Sequence, residues 1–210
     1  FGTATFGGGT ALADIDRDGD LDLVVSGSNA GGVARLDKYL NDGVGSFTGP
    51  TNIGTGVYDS GLSVADVNGD GAVDLIVGGR NGVGNRLDRY LNNGSGGFVG
   101  AAFGTAVWDA TTSMGDLDGD GDMDLVVLGS SSGSGYRFDR YQNDGAGNFA
   151  GVALGVGLRN STASMGDLDH DGDLDLVIAG SESNSTIHLD EYLNSGAGTF
   201  SGPIAFGAAV

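Results

Sequence analysis

Residues 14–27 read DIDRDGDLDLVVSG: five aspartates in nine positions, followed without a break by an apolar run. A charge block of that density is ordinarily solvated or disordered. Here it leads into a segment whose consecutive apolar residues read as a buried strand, so the acids sit on a loop held against a folded body. The stretch recurs as DVNGDGAVD from Asp66, DLDGDGDMD from Asp116 and DLDHDGDLD from Asp167. A second signature keeps the same phase: YLNDGVGSF from Tyr39, YLNNGSGGF from Tyr90, YQNDGAGNF from Tyr141 and YLNSGAGTF from Tyr192, each tyrosine 51 residues after the last. Four copies of one unit nearly fill the chain, which is therefore read as a single repeat domain over 1–210. The units run approximately 6–52, 53–103, 104–154 and 155–205, with a short terminal overlap in which FGAAV (206–210) repeats FGTAT (1–5).

Composition fits short strands and tight turns. The 43 glycines show no collagen period and recur at fixed places within the unit. There is no cysteine, which removes disulfides and thiol chemistry, and no run of 18 apolar residues that could span a membrane. The chain starts at Phe1 without Met, so any secretion signal is expected to have been trimmed or never to have been part of this stretch. The net charge is −19, but the four loops hold eighteen of the 28 acidic residues, five in each of loops 1, 3 and 4 and three in loop 2. Four divalent cations would bring the charge to −11. The acidity is mostly a property of sites, and the remainder disfavours nucleic acid and anionic membranes, which need basic patches.

Geometry argues what the loops hold. In loop 1 the acids at positions 1, 3 and 5, Asp14, Asp16 and Asp18, alternate with non-ligands, so a curled loop can turn them onto one point. Gly19 permits the sharp turn, the backbone carbonyl of Asp20 at position 7 can add an oxygen, and Asp22 at position 9 closes the shell. The same positions are Asp66, Asn68, Asp70, Ala72 and Asp74 in loop 2; Asp116, Asp118, Asp120, Asp122 and Asp124 in loop 3; and Asp167, Asp169, Asp171, Asp173 and Asp175 in loop 4. Hard oxygen donors on a flexible loop suit Ca²⁺, about four ions per chain, whereas zinc or copper would want His or Cys. An EF-hand is ruled out at position 12, where a bidentate glutamate is replaced by Val25, Val77, Val127 or Ile178 inside an apolar strand. Asn68 leaves loop 2 with fewer carboxylates and an expected lower affinity.

The rest of each unit reads as a four-stranded antiparallel meander. In the first unit the strands are TALADI, LDLVVSG, VARLDKYLN and SFTGPTNI, with NDGVG as the turn between the last two. The second strand is apolar on consecutive residues, as expected where both faces are covered. Stacked four-stranded sheets around an axis make an all-β propeller with four blades per chain; a β-solenoid is the alternative.

The stretch ADIDRDGDLDLVVSG, the YLNDGVGSF signature and the FG pairs at Phe1, Phe103 and Phe206 resemble the FG-GAP and VCBS repeats of integrin-like β-propellers over the full length. That resemblance implies an extracellular or cell-surface, calcium-bound, non-catalytic module for glycan binding (lectin-like) or cell adhesion, with polysaccharide lyases among the relatives. Rings of that kind commonly carry seven or eight blades, and this chain supplies four. Two chains closing an eight-bladed C₂ ring are expected, with a compact four-bladed monomer or a piece of a longer propeller as alternatives.

Strand three of each unit carries Arg35, Asp37 and Tyr39; Arg86, Asp88 and Tyr90; Arg137, Asp139 and Tyr141; or His188, Asp190 and Tyr192, each trio on one face by its period of two. One reading is ion pairing and aromatic packing between blades. The other is a polar pocket in which the aspartate accepts sugar hydroxyls and a ring stacks on the sugar. A further candidate position is held by Phe6, Tyr58, Trp108 and Arg159, Trp108 being the only tryptophan. Catalysis by the loop acids is not expected, because a bound cation would occupy them, and no nucleophile motif is present. Expected partners are glycans or an extracellular protein, with a structural scaffold lacking its own ligand as the alternative. Asn93, Asn160 and Asn184 sit in N-x-S/T patterns, meaningful in a secreting eukaryote.

Overall fold

The structure is a computed structural model that describes residues 4–133, 135–183 and 185–206. The FG pair at Phe1, the overlap at 1–3 and 207–210, and the glycosylation pattern at Asn184 lie outside these residues. Among the described residues every regular element is a strand, and all pairings are antiparallel.

The first unit contains β1 (Thr5–Phe6) and β2 (Thr10–Ala13), both paired with β3 (Asp22–Asn29), followed by β4 (Ala34–Asn41) and the first part of β5 (Phe47–Ala65). The later part of β5 pairs with β6 (Asp74–Arg80), which pairs with β7 (Asn85–Asn92) and then with the first part of β8 (Phe98–Gly115). The later part of β8 begins the third meander, continued by β9 (Asp124–Ser131), β10 (Gly135–Asn143) and β11 (Phe149–Ala153). A separate sheet holds β12 (Arg159–Gly166), β13 (Asp175–Ser181), β14 (Ile187–Asn194) and β15 (Phe200–Ala205). The expectation that strand four ends near Ile53 needs correction. β5 and β8 run on as the first strand of the next meander, which joins three meanders into one eleven-stranded sheet.

Where a meander begins, its first strand carries a bulge. The register shifts between Tyr58 and Gly61, Trp108 and Thr111, and Arg159 and Thr162, and β1 and β2 are separated at the same place. The bulge residues Gly7, Asp59, Asp109 and Asn160 have left-handed backbones, with φ of 63°, 48°, 52° and 46°. Glycine, aspartate and asparagine tolerate that region best. The bulges also touch across units, since the Asn160 N–H donates to an Asp109 carboxylate oxygen at 2.9 Å.

The apolar interior is divided into three clusters, each formed between successive meanders. Ile15, Val24 and Leu36 of the first pack against Leu75, Val77 and Tyr90 of the second. Ile76 and Leu87 pack against Leu125, Val127 and Tyr141 of the third, and Leu117, Val126 and Phe138 against Leu176, Ile178 and Tyr192 of the fourth. Alternation explains the pattern: on β3 Val24 faces forward while Leu23 and Val25 face backward. A strand covered on both faces is therefore apolar at successive positions.

Candidate functional site

The four acidic loops precede β3, β6, β9 and β13, so each first aspartate leaves one strand and each ninth enters the next. Carboxylate oxygens of Asp14, Asp16 and Asp18 lie within 4.8 Å of one another, as do those of Asp116, Asp118 and Asp124 and those of Asp167, Asp169 and Asp175. Loop 2 shows no such acidic trio, and the Asn68 amide donates to Asp70 at 3.0 Å instead. Buried oxygens of Asp16 and Asp66 have no hydrogen-bond partner. Burial, followed by repulsion from neighbouring aspartates, pushes the carboxyls of Asp16, Asp122 and Asp173 above the usual range. Converging carboxylates that repel one another, with a buried oxygen of Asp16 and of Asp66 left without a donor, fit a hard divalent cation such as Ca²⁺. Tight loop-internal bonds set the curl: the Gly19, Gly71, Gly121 and Gly172 N–H groups each donate to the first aspartate of their loop. Asp20, Asp120, Asp122, Asp171 and Asp173 lie on these loop tips, where the N–H groups of Asp20, Asp122 and Asp173 donate to the side chains of Asp18, Asp120 and Asp171.

The ninth position does more than the spacing indicates. Asp22, Asp74, Asp124 and Asp175 are fully buried, and each accepts two backbone N–H bonds, one from its own loop and one from the asparagine that ends strand three. For Asp124 these come from Leu117 at 3.2 Å and Asn143 at 2.8 Å. Burial pushes the Asp124 carboxyl up to about 6, against the two N–H bonds that lower it. These aspartates brace loop to strand first, and each oxygen keeps a lone pair for a cation.

The asparagine side chain adds a link that the loop reading missed. Asn92 Nδ2 donates to the Ile15 carbonyl of the preceding loop at 2.8 Å, Asn143 to that of Val67 at 2.8 Å and Asn194 to that of Leu117 at 2.7 Å. Its signal in the sequence is its constancy in the third place of all four Tyr-centred signatures. Cations extend the coupling: Lys38 donates to the Gly96 carbonyl of the next unit at 2.6 Å, and Arg89 to that of Gly147.

The strand-three trios split in two. Arg35 holds Asp37 in a two-pronged ion pair (2.8 and 2.9 Å), as Arg86 holds Asp88 (2.8 and 2.8 Å) and Arg137 holds Asp139 (2.9 and 2.7 Å). In the fourth unit His188 bonds Asp190 through Nδ1 at 2.8 Å and Glu182 through Nε2 at 2.7 Å. The three Arg–Asp pairs and His188–Asp190 each lie within one strand rather than between blades, and Glu182 reaches His188 from just beyond β13. Tyr39, Tyr90, Tyr141 and Tyr192 are all buried, the last three within the interunit clusters, so they are walls and cannot stack on an exposed sugar. Arg86, Asp88 and Tyr90 nevertheless line a cleft of about 220 Å³ together with Ile53, Gly54 and Gly100. A side chain at Gly54 would run into the Tyr90 ring, so glycine is what allows the close approach there. Trp108 is half-buried and shares the Arg80 guanidinium with Tyr58, at 4.9 and 5.1 Å from the two ring centres, while Phe6 is exposed.

Residues 14–77, 66–127 and 116–178 match the profile of the FG-GAP-like repeat. The chain belongs to the FG-GAP-like repeat family. Each match runs from the first aspartate of one loop to the strand behind the next, so all four loops fall within the FG-GAP-like segments. The all-β, antiparallel architecture agrees with the propeller-like fold of such repeats, which often serve in adhesion or binding, often bind calcium and are typically extracellular. No helix among the described residues is long and apolar enough to cross a membrane. A comparison with curated proteins finds no match.

Proposed function

We propose that this FG-GAP-like chain is a calcium-braced, non-enzymatic recognition module of four propeller blades that binds glycans outside the cell. The observation that carries the glycan reading is the cleft in which the Arg86–Asp88 pair lies beside Tyr90. A buried carboxylate locked to a partly exposed guanidinium presents acceptors and donors in fixed positions, which suits a ring bearing several hydroxyls. The cleft is below the volume range of drug-sized pockets, so it would take a single sugar residue or the end of a chain. Equivalent trios at Arg35–Asp37, Arg137–Asp139 and His188–Asp190 would supply repeated weak sites and hence avidity. Calcium in the loops holds the strands that carry these trios. The acids that lie closest together are the loop acids, which a cation would engage, so no carboxylate pair is assigned to catalysis. Extracellular calcium is abundant enough to fill sites of modest affinity.

Adhesion to a protein is favoured by one specific observation, the Tyr58–Arg80–Trp108 stack with Phe6 exposed nearby in the series, because aromatic residues and arginine are enriched at protein interfaces. A glycan array probed with calcium-loaded protein separates the two readings. Binding to a defined sugar that Asp88→Asn weakens and Trp108→Ala leaves unchanged supports the glycan cleft. An array silent for calcium-loaded protein, shown folded by circular dichroism, overturns it.

A further inference from the structure

The three interunit clusters are built to one plan, and the first and fourth units display the unmatched halves of a fourth. The forward face of a unit is Ile15, Val24 and Leu36 in the first, Val67, Ile76 and Leu87 in the second, and Leu117, Val126 and Phe138 in the third, all at 1% exposure or less. In the fourth unit the same positions are Leu168, Val177 and Leu189; Leu168 is 44% and Leu189 41% exposed, and Val177 is half-buried. The backward face shows the converse. Leu75 and Val77, Leu125 and Val127, and Leu176 and Ile178 are fully buried, yet Leu23 and Val25 of the first unit are only half-buried. Single exposed apolar residues need no explanation, but two matched faces do.

Polar details follow the same rule. Asn92, Asn143 and Asn194 each reach the preceding loop, whereas Asn41 Nδ2 bonds only within its own unit, to the Leu21 carbonyl, and its buried Oδ1 has no partner. The carbonyl that completes the series is that of Leu168. A Cβ on Gly115 would touch Leu174 and Met165 of the following unit, while one on Gly166 would meet nothing. The first-unit equivalents of Leu174 and Met165 are Leu21 and Leu12, exposed at 54% and 57%.

We infer that a second copy of this chain occupies both faces: Leu168, Val177 and Leu189 of one copy pack on Leu12, Leu23 and Val25 of the other, and Asn41 bonds the partner's Leu168 carbonyl. The inference rests on the propeller reading and gives it its closure. The contact is head-to-tail, so two copies joined at both ends form a closed ring of eight units. One position departs from the internal junctions. Lys38 and Arg89 donate across to a glycine carbonyl, and Glu191 stands at the equivalent place in the fourth unit. Its carboxylate cannot donate there, which makes the junction between copies weaker than those within a chain and reversible on dilution.

Light scattering and sedimentation over a dilution series test this independently of any ligand. The inference requires a species of twice 20.9 kDa that dissociates on dilution. Leu189→Glu and Leu12→Glu each replace an exposed side chain, so both should stay folded by circular dichroism, yet each should raise the dimer dissociation constant by about a hundredfold or more, because the new charge is buried on association. Mixing the two variants should restore one junction and give an open heterodimer. Glu191→Lys should tighten the dimer about fivefold by restoring the donor. A monomer at every concentration, a ladder of larger masses, or a dimer indifferent to all three substitutions overturns the inference. Because the readout is mass alone, its failure leaves the glycan and calcium readings to be judged on their own experiments.

Discussion

Replacing Asn143 tests whether the units are tied through their cation loops. Its Nδ2 donates to the Val67 carbonyl at 2.8 Å and the Met123 carbonyl at 3.2 Å, and its Oδ1 accepts from the Gly147 N–H at 3.1 Å. The side chain is buried, so water cannot replace those bonds in Asn143→Ala. At about 1 kcal/mol for each lost bond the cost is about 3 kcal/mol, a fall in melting temperature of roughly 6–12 °C for a chain of this size. Asn143→Asp keeps the acceptor for Gly147 but turns an oxygen toward two carbonyls, and should cost at least as much. Val44→Ala, in the equivalent turn of the first unit where the side chain is 84% exposed, is the control, with an expected effect within about 0.5 kcal/mol. Urea unfolding of the calcium-loaded protein at neutral pH measures all three. Losses below about 1 kcal/mol for both Asn143 variants would refute the link between units.

Loop 2 should bind calcium most weakly, and calorimetry should resolve one weaker site that Asn68→Asp brings level with the others; four equal sites in the unaltered protein would count against it. Burial raises the Asp124 carboxyl to about 6, so in EDTA its proton binding favours the fold as pH drops from 7 toward 5, while calcium affinity falls over the same range. Unfolding curves at several pH values, with and without calcium, should therefore slope in opposite senses, and parallel slopes would contradict this. For His188, burial opposes protonation but the bonds to Asp190 and Glu182 prevail and raise the pKa above the ordinary 6.5. Its stabilising contribution is fully present below pH 6.5 and lost as pH rises through the folded value. His188→Arg, matching the other units, should remove that dependence, and an unchanged pH profile would argue that His188 is not the source.

The repeat, the strand order and the placing of acids on loops were legible because each follows from a period: 51 residues for the unit, two for the strand faces, alternate positions for the acids. Residues whose partners lie in another unit were not legible. Asn92 and Asn143 read as turn residues because their acceptors, the Ile15 and Val67 carbonyls, are brought close only by stacking of the units. The ninth aspartate was read as a ligand, and its burial with two backbone donors emerges only when loop and strand three come together. Tyr90 and Tyr141 could equally line a pocket or fill a core on period alone, and the stacking of units puts them in the core. The run-through of β5 and β8 was hidden because the turn-rich sequences at 53–56 and 103–106 look like breaks, while their backbone pairs as strand.

The most direct test of the calcium brace is the melting temperature of the protein in excess EDTA and again after calcium is restored. With free calcium about a hundredfold above Kd, each filled loop contributes about 2.7 kcal/mol, or roughly 5–10 °C for a chain of this size. The account predicts a large fall in EDTA and full recovery with calcium, and identical melting in both conditions would contradict it.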